Sequence, residues 1–175
     1  MILAGDVGGT KCNLALFSER DGKLTSVFRQ RFRSKDFAQF DLIAKEFARQ
    51  AASHLAGEKI EAAGFGIAGP VINNRVRATN LPWMIDAAVL SQELSIQHIV
   101  LLNDLGAWGH SIEYLDPSQF CVLNQGKVEP GGTRGLLAAM KSNQRRTVQG
   151  LGFFSALKKT AINEDARLFC LDDVT

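Results

Sequence analysis

The chain opens on two short apolar runs, Ile2 to Val7 and Cys12 to Phe17, set on either side of a Gly8-Gly9 pair. Runs of this length around a glycine pair predict a β-hairpin with a very tight turn. Asp21-Gly22 predicts the next turn, and the alternation from Leu24 to Arg33 a third strand. Phe37, Phe40, Ile43, Ala44, Phe47, Ala48 and Ala51 recur at helical spacing. They predict a helix from an Asp36 N-cap through about Leu55, with Gly57 as its stop. Ile60 to Ile67 has the pattern of a buried strand, and Val71 to Thr79, with Asn73-Asn74 at its middle, that of a small hairpin broken by Leu81-Pro82-Trp83. A helix over Asp86 to Leu94, a strand over Ile99 to Leu102 and a helix capped by Asn103-Asp104 through about Leu115 complete the regular part. Beyond Pro117 the pattern predicts a strand at Phe120 to Leu123, a loop over Gly126 to Gly132, a strand beginning at Leu136 and a short helix from about Phe153 to Ile162.

This order is three strands, helix, strand, ribbon, helix, strand, helix. It predicts an α/β fold, with antiparallel hairpins first and parallel crossovers after them. It is the ribonuclease H-like order: a mixed sheet with flanking helices.

Composition narrows the picture only slightly. The 175 residues hold one full-sized domain, or one domain and a tail, and 46% hydrophobic content supplies a core. A formal net charge of +2 gives no general push toward nucleic acid or an anionic membrane. The basic stretch Arg29 to Lys35 alternates, which predicts a strand with one solvated basic face. The three cysteines, Cys12, Cys121 and Cys170, and the three histidines have no metal-ligand or redox spacing, and an odd thiol count suits a reducing compartment. With no basic-then-apolar leader and no long apolar run, the expected location is the cytoplasm.

Four places carry candidate chemistry. At Gly5-Asp6-Val7-Gly8-Gly9-Thr10 a strand ends in a carboxylate beside a turn without Cβ atoms. Such a turn lets a ligand approach backbone N–H groups, Thr10 adds a hydroxyl, and an acid there suits a Mg²⁺–phosphate group because the metal takes oxygen ligands. A simple hairpin turn explains the same glycines. At Asn103-Asp104 the alternatives are a helix N-cap and a site at the carboxyl end of a buried strand, where it shares a crevice with Asp6. One acid then holds metal while the other takes a proton from an acceptor hydroxyl, with Asn103 on a substrate hydroxyl. Gly64, Gly66 and Gly69 match G-x-G-x-x-G, but Pro70 and a ribbon follow where a dinucleotide fingerprint needs a helix, so a nicotinamide cofactor is not expected. These glycines are expected to keep a cleft wall thin, close to a ligand. Thr79-Asn80-Leu81-Pro82-Trp83 reads either as a capped turn anchored by Trp83 or as a sugar contact from Asn80 with Trp83 as pocket wall.

Taken together, G-D-V-G-G-T at Gly5 to Thr10, G-I-A-G-P-V at Gly66 to Val71, T-N-L-P-W at Thr79 to Trp83 and L-L-N-D-L at Leu101 to Leu105 resemble the bacterial-type glucokinases of the actin-like ATPase (sugar kinase) superfamily. The resemblance runs over roughly residues 2–139 and implies ATP-dependent phosphorylation of glucose to glucose 6-phosphate. It implies that Gly5, Asp6, Val7, Gly8, Gly9 and Thr10 bind the ATP phosphates, with Asp6 near Mg²⁺. Asn80 and Asn103 would contact glucose, and Asp104 would be the general base on its 6-hydroxyl. The related repressor and sugar kinase family shares a loop like Gly8 to Lys11, but its cysteine-rich zinc motif has no counterpart here.

The resemblance also has an edge. Where the family continues into a second phosphate loop, A-G-T-G-L-G, this chain has Met140-Lys141-Ser142. Residues 1–139 are therefore expected to form an N-terminal lobe and residues 140–175 a divergent tail without the second lobe. On that expectation the chain alone turns over glucose weakly or not at all, and a homodimer or a partner covers the interdomain face. A non-catalytic sugar-binding lobe and a ribonuclease H-like nuclease are the alternatives; no nucleic-acid or membrane partner is otherwise expected.

Overall fold

A computed structural model describes residues 1–111, residue 114, and the two segments Phe120–Gln125 and Arg167–Leu171. The expected loop over Gly126 to Gly132, the strand from Leu136 and the helix from Phe153 lie outside the described residues. The chain divides into two compact units, Met1–His110 and Ser111–Thr175.

The first unit is built on β1 (Ile2–Val7), β2 (Lys11–Arg20), β3 (Lys23–Arg33), α1 (Phe40–Ala51), β4 (Ala62–Ile67), the short strands β5 (Val71–Ile72), β6 (Arg75–Arg77) and β7 (Met84–Asp86), α2 (Ala87–Leu94), β8 (His98–Asn103) and α3 (Asp104–Ser111). Five strands form one sheet in the order β3-β2-β1-β4-β8. The β1/β2 and β2/β3 pairs are antiparallel, the β1/β4 and β4/β8 pairs parallel. This is the mixed sheet expected from the element order. β5, β6 and β7 form a separate three-stranded ribbon. In the second unit β9 (Phe120–Gln125) pairs antiparallel with β10 (Arg167–Leu171), and β10 has no counterpart in the sequence expectations.

Period-two alternation sorts the sheet faces. Leu3 and Val7 of β1, Cys12, Leu14 and Leu16 of β2, Ala63, Phe65 and Ile67 of β4, and Ile99 and Leu101 of β8 are all buried on one face. The apolar stripe of α1, with Phe40, Ile43, Ala44, Phe47 and Ala51 buried, covers that face. Phe40 meets Phe65 edge-on at 5.0 Å between ring centroids and lies 6.3 Å from Trp83.

α1 begins at Phe40, not after Asp36. Ser34–Asp36 form a single 3-10 turn, Phe37 is extended with φ −126° and ψ 140°, and Gln39 stands at the N-cap without a side-chain bond. The reason is tertiary. Ser34 is fully buried, and Phe37 turns aside to pack edge-on against Phe32 at 5.8 Å. Asp86, expected within the second helix, is its N-cap, its Oδ1 accepting from Ala88 N–H at 2.9 Å and its Oδ2 meeting Arg75 at 2.6 Å.

The Asn73-Asn74 turn does more than reverse the chain. Both residues have φ in the left-handed region, 53° and 56°, as a two-residue hairpin turn requires. From there the Asn74 carboxamide reaches β8, its Nδ2 donating to Ile99 C=O at 2.8 Å and its Oδ1 accepting from Leu101 N–H at 2.8 Å. Among the described residues β8 is a sheet edge, so this side chain occupies the place of a neighbouring strand and blunts the edge against pairing with other chains. Asn74→Ala removes both bonds and leaves a β-carbon at positive φ without compensation. We expect a loss of about 2–3 kcal/mol in a urea titration, with increased self-association on sedimentation.

Candidate functional site

The motifs separated along the chain converge at the carboxyl ends of β1, β4 and β8. Asp6 pairs with Gly66, and Gly66 with Leu102, so the acid of β1 and the end of β8 stand two strand spacings apart, roughly 10 Å. Asp104 follows immediately as the first residue of α3.

Missing Cβ atoms set the close approaches. A Cβ on Gly9 would lie 2.7 Å from the Cβ of Asn80, so the hairpin turn rests directly on the Thr79-to-Trp83 segment. A Cβ on Gly66 would lie 3.1 Å from Ala107 Cβ and 3.9 Å from Asp104 Cα. What Gly66 admits is therefore the start of α3 rather than a ligand. This corrects the expectation of a thin wall facing a ligand, because the close neighbour is protein.

Hydrogen bonds tie the remaining motifs together. Thr79 donates to Ala68 C=O through its N–H at 2.9 Å and through its hydroxyl at 3.0 Å. Asn103 Nδ2 donates to Gly69 C=O at 2.9 Å, while its Oδ1 accepts from Leu105 N–H at 3.1 Å. Asn103 is thus the helix cap that sequence allowed, with one N–H of its amide unspent among the described residues. Asp104 Oδ1 shares the Leu105 N–H at 2.9 Å, which leaves its Oδ2 without a partner among the described residues. The Asn80 carboxamide makes no hydrogen bond among the described residues and is exposed. Trp83 is buried beside Phe40, so it is a core anchor and not a pocket wall.

Within the hairpin the six expected phosphate-loop residues divide by face. Val7 is buried in the core, and a Cβ on Gly5 would meet Phe65 Cδ1 at 2.8 Å, so both positions face the core. Asp6, Gly8, Gly9 and Thr10 remain on the open side. Gly8 N–H donates to Lys11 C=O at 3.0 Å, while the N–H groups of Gly9 and Thr10 have no partner among the described residues.

Sequence reasoning missed the support around this turn. Asn13 stands opposite Asp6 in the β1/β2 register and Arg31 opposite Asn13 in the β2/β3 register. Arg31 Nε donates to Asn13 Oδ1 at 2.9 Å, and Asn13 Nδ2 donates to Asp6 Oδ2 at 3.2 Å. The guanidinium only donates and the carboxylate only accepts, so the amide orientation is fixed by its two neighbours. The available signal was the hairpin register, which sets Asn13 across from Asp6. Below the turn, Cys12 lies 3.5 Å from Ser34 Oγ. Burial, first of all, pushes the Cys12 thiol above its ordinary pKa; the Ser34 hydrogen bond lowers it in part, the Asp6 charge raises it and Gly8 lowers it. The thiol stays protonated at neutral pH, and iodoacetamide at pH 8 should modify it about tenfold more slowly than in the urea-unfolded chain, as read by peptide mass spectrometry.

Among the described residues, no group of three or more His, Cys, Asp and Glu is placed to hold a metal ion by itself. A magnesium ion bound with phosphates needs no such cage, since it takes one or two carboxylates and completes its shell with phosphate oxygens and water. Asp6, exposed and with Oδ1 unengaged among the described residues, fits that demand.

Comparison with known proteins agrees with this geometry. The glucokinase family model matches residues 3–140. The glucokinase of Nostoc punctiforme is 36% identical over 140 residues, covering 79% of this chain and 40% of that protein. The glucokinase of Synechocystis sp. is 38% identical over 144 residues, covering 78% of this chain and 40% of that protein. The crystal structure of a glucokinase from an Antarctic psychrotroph superposes with a TM-score of 0.63 at 26% identity, over 73% of this chain and 39% of its own. The chain therefore spans about two-fifths of the length of the curated relatives it matches. The family match covers the hairpin turn, the Gly66-to-Val71 strand end, the Asn80 segment and the Asn103-Asp104 pair, and on that ground the chain belongs to the glucokinase family.

Proposed function

We propose that the first unit carries the half of a glucokinase site that receives the sugar hydroxyl and the terminal phosphates, for ATP-dependent phosphorylation of glucose at its 6-hydroxyl. The observation that carries this reading is the contact of Gly9 with Asn80, which sets a turn with two N–H groups against a carboxamide, all without a partner among the described residues. The N–H groups of Gly9 and Thr10 donate to phosphate oxygens, as a backbone nest does. Asn80, and the remaining N–H of Asn103, hold sugar hydroxyls. Asp104, oriented by the Leu105 N–H, takes the 6-hydroxyl proton on Oδ2 as the sugar's 6-oxygen bonds to the γ-phosphorus. The bond from the γ-phosphorus to the bridging oxygen breaks and ADP leaves. Asp6 and the phosphates would hold Mg²⁺, which when bound neutralises charge developing on the phosphoryl oxygens.

The reading places the protein in the cytoplasm, where ATP and reduced thiols coexist. Among the described residues no helix is long and apolar enough to cross a membrane.

Calorimetric titration of the 175-residue chain with glucose, with and without Mg²⁺–ATP, tests the proposal. Binding that Asn80→Ala weakens supports it. Binding with no glucose 6-phosphate formed in a coupled assay favours the non-catalytic sugar-binding alternative, and no binding of either ligand overturns both.

A further inference from the structure

Ser34 is the one polar side chain buried in the described core, fully out of solvent, and it lies outside the four places that carry candidate chemistry. It reaches the candidate phosphate turn twice. Its Oγ donates to Gly8 C=O at 2.7 Å, and its backbone N–H donates to Thr10 C=O at 3.0 Å. Behind it, the Cys12 thiol lies 3.5 Å from Oγ. The Ser34 O–H is spent on Gly8 C=O, so Oγ can only accept from the thiol, and Cys12 Sγ also lies 4.0 Å from Gly8 C=O, its single S–H facing both oxygens.

The consequence is a turn held by its carbonyls. Gly8 and Gly9 have no side chains of their own to pack, and glycine loses more conformational freedom on ordering than any other residue. With the carbonyls of Gly8 and Thr10 both anchored inward on Ser34, the Gly8–Gly9 plane, which carries the Gly9 N–H, and the Thr10–Lys11 plane are held, and the Gly9–Thr10 plane between them, which carries the Thr10 N–H, has little room to flip. The Gly9 and Thr10 N–H groups are left unpaired among the described residues. A ligand phosphate then meets donors already ordered, and does not bear the ordering cost on binding.

We propose that Ser34 is a positioning residue for the phosphate site. It clamps the Gly8–Thr10 turn through two carbonyls and so presets the amides that receive the terminal phosphates of the donor. This rests on the reading of that turn as a phosphate site, and it adds a residue which acts through the backbone and touches neither substrate. It also accounts for the late start of α1. The chain spends Ser34–Asp36 in a 3-10 turn that seats the serine beneath the hairpin before the helix begins.

The test uses the ¹⁵N-labelled 175-residue chain in three forms: unmodified, Ser34→Ala, and Ser34→Thr, which keeps the hydroxyl. Backbone relaxation at Gly8, Gly9 and Thr10 is read first, without ligand. The unmodified chain and Ser34→Thr should show order parameters of about 0.85 there, and Ser34→Ala values below about 0.6, with the β1 and β4 residues unchanged in all three. A turn equally ordered in Ser34→Ala overturns the clamp. So does a turn that is already loose in the unmodified chain, a result that stands even if Ser34→Ala does not fold. Titration with Mg²⁺–tripolyphosphate follows. Affinity roughly tenfold weaker in Ser34→Ala and restored in Ser34→Thr is expected. If the turn loosens as predicted but the unmodified chain ignores tripolyphosphate, the clamp stands and the phosphate reading of the turn fails. If the affinity of Ser34→Ala equals that of the unmodified chain, the serine is structural only and the proposal falls.

Discussion

Asp104→Asn should lower whatever rate of glucose 6-phosphate formation the chain sustains by about a thousandfold, within the range general-base removal produces. The substitution is nearly isosteric. An asparagine Oδ1 can still accept the Leu105 N–H that Asp104 Oδ1 accepts at 2.9 Å, so the start of α3 should hold. Asn103 also remains bonded to Gly69 and Leu105. What disappears is the oxygen that we propose takes the 6-hydroxyl proton. Glucose affinity should therefore stay within about twofold, and the urea midpoint should barely move. A large loss of glucose affinity, or a falling midpoint, would place Asp104 among the structural caps and leave the reaction without its base.

Gly69→Ala should have the largest effect on stability. Gly69 has φ +152°, where residues with a Cβ are strained. A Cβ there would lie 2.7 Å from Arg77 C=O and 3.1 Å from Val76 Cγ2, and the first of these neighbours is backbone that cannot rotate away. Backbone strain and overpacking together suggest a cost of about 3–4 kcal/mol. The damage should also reach the site, because the Gly69 carbonyl holds Asn103 and the adjacent Ala68 carbonyl holds Thr79. Equilibrium urea unfolding gives the first number and glucose titration of the surviving native fraction the second. A change under 1 kcal/mol would mean that the ribbon yields at this point, contrary to the packing described.

Much of this was written in the chain because it depends on local pattern. The buried alternation of Leu3 and Val7, or of Ala63, Phe65 and Ile67, has period two whatever it packs against. The same alternation puts Gly5 between Leu3 and Val7 on the core face, which a stricter reading of the strand would have taken from sequence. Asn103 was legible as a cap because capping is local. Three features were not legible. Ser34 is drawn inside by a hairpin twenty-six positions earlier, and no local propensity marks it. Asn74 finds β8 twenty-five positions later, and a turn asparagine looks the same with or without that partner. Gly66 makes room for α3, whose approach exists only once the sheet is formed. The ribonuclease H-like order was sound as a fold statement, while the nuclease expectation drawn from it gives way to the family match.

The central claim is that the Gly8–Thr10 turn, Asn80 and Asp104 are one site for phosphate and sugar. Amide chemical-shift mapping of the labelled 175-residue chain during titration with glucose and Mg²⁺–ATP addresses it most directly. The account predicts that Gly9, Thr10, Asn80 and Asp104 shift together and saturate with one affinity per ligand, while Asn74 and the outer strand β3 stay still. Shifts confined to any other surface, or none at these four residues at saturating ligand, would contradict it.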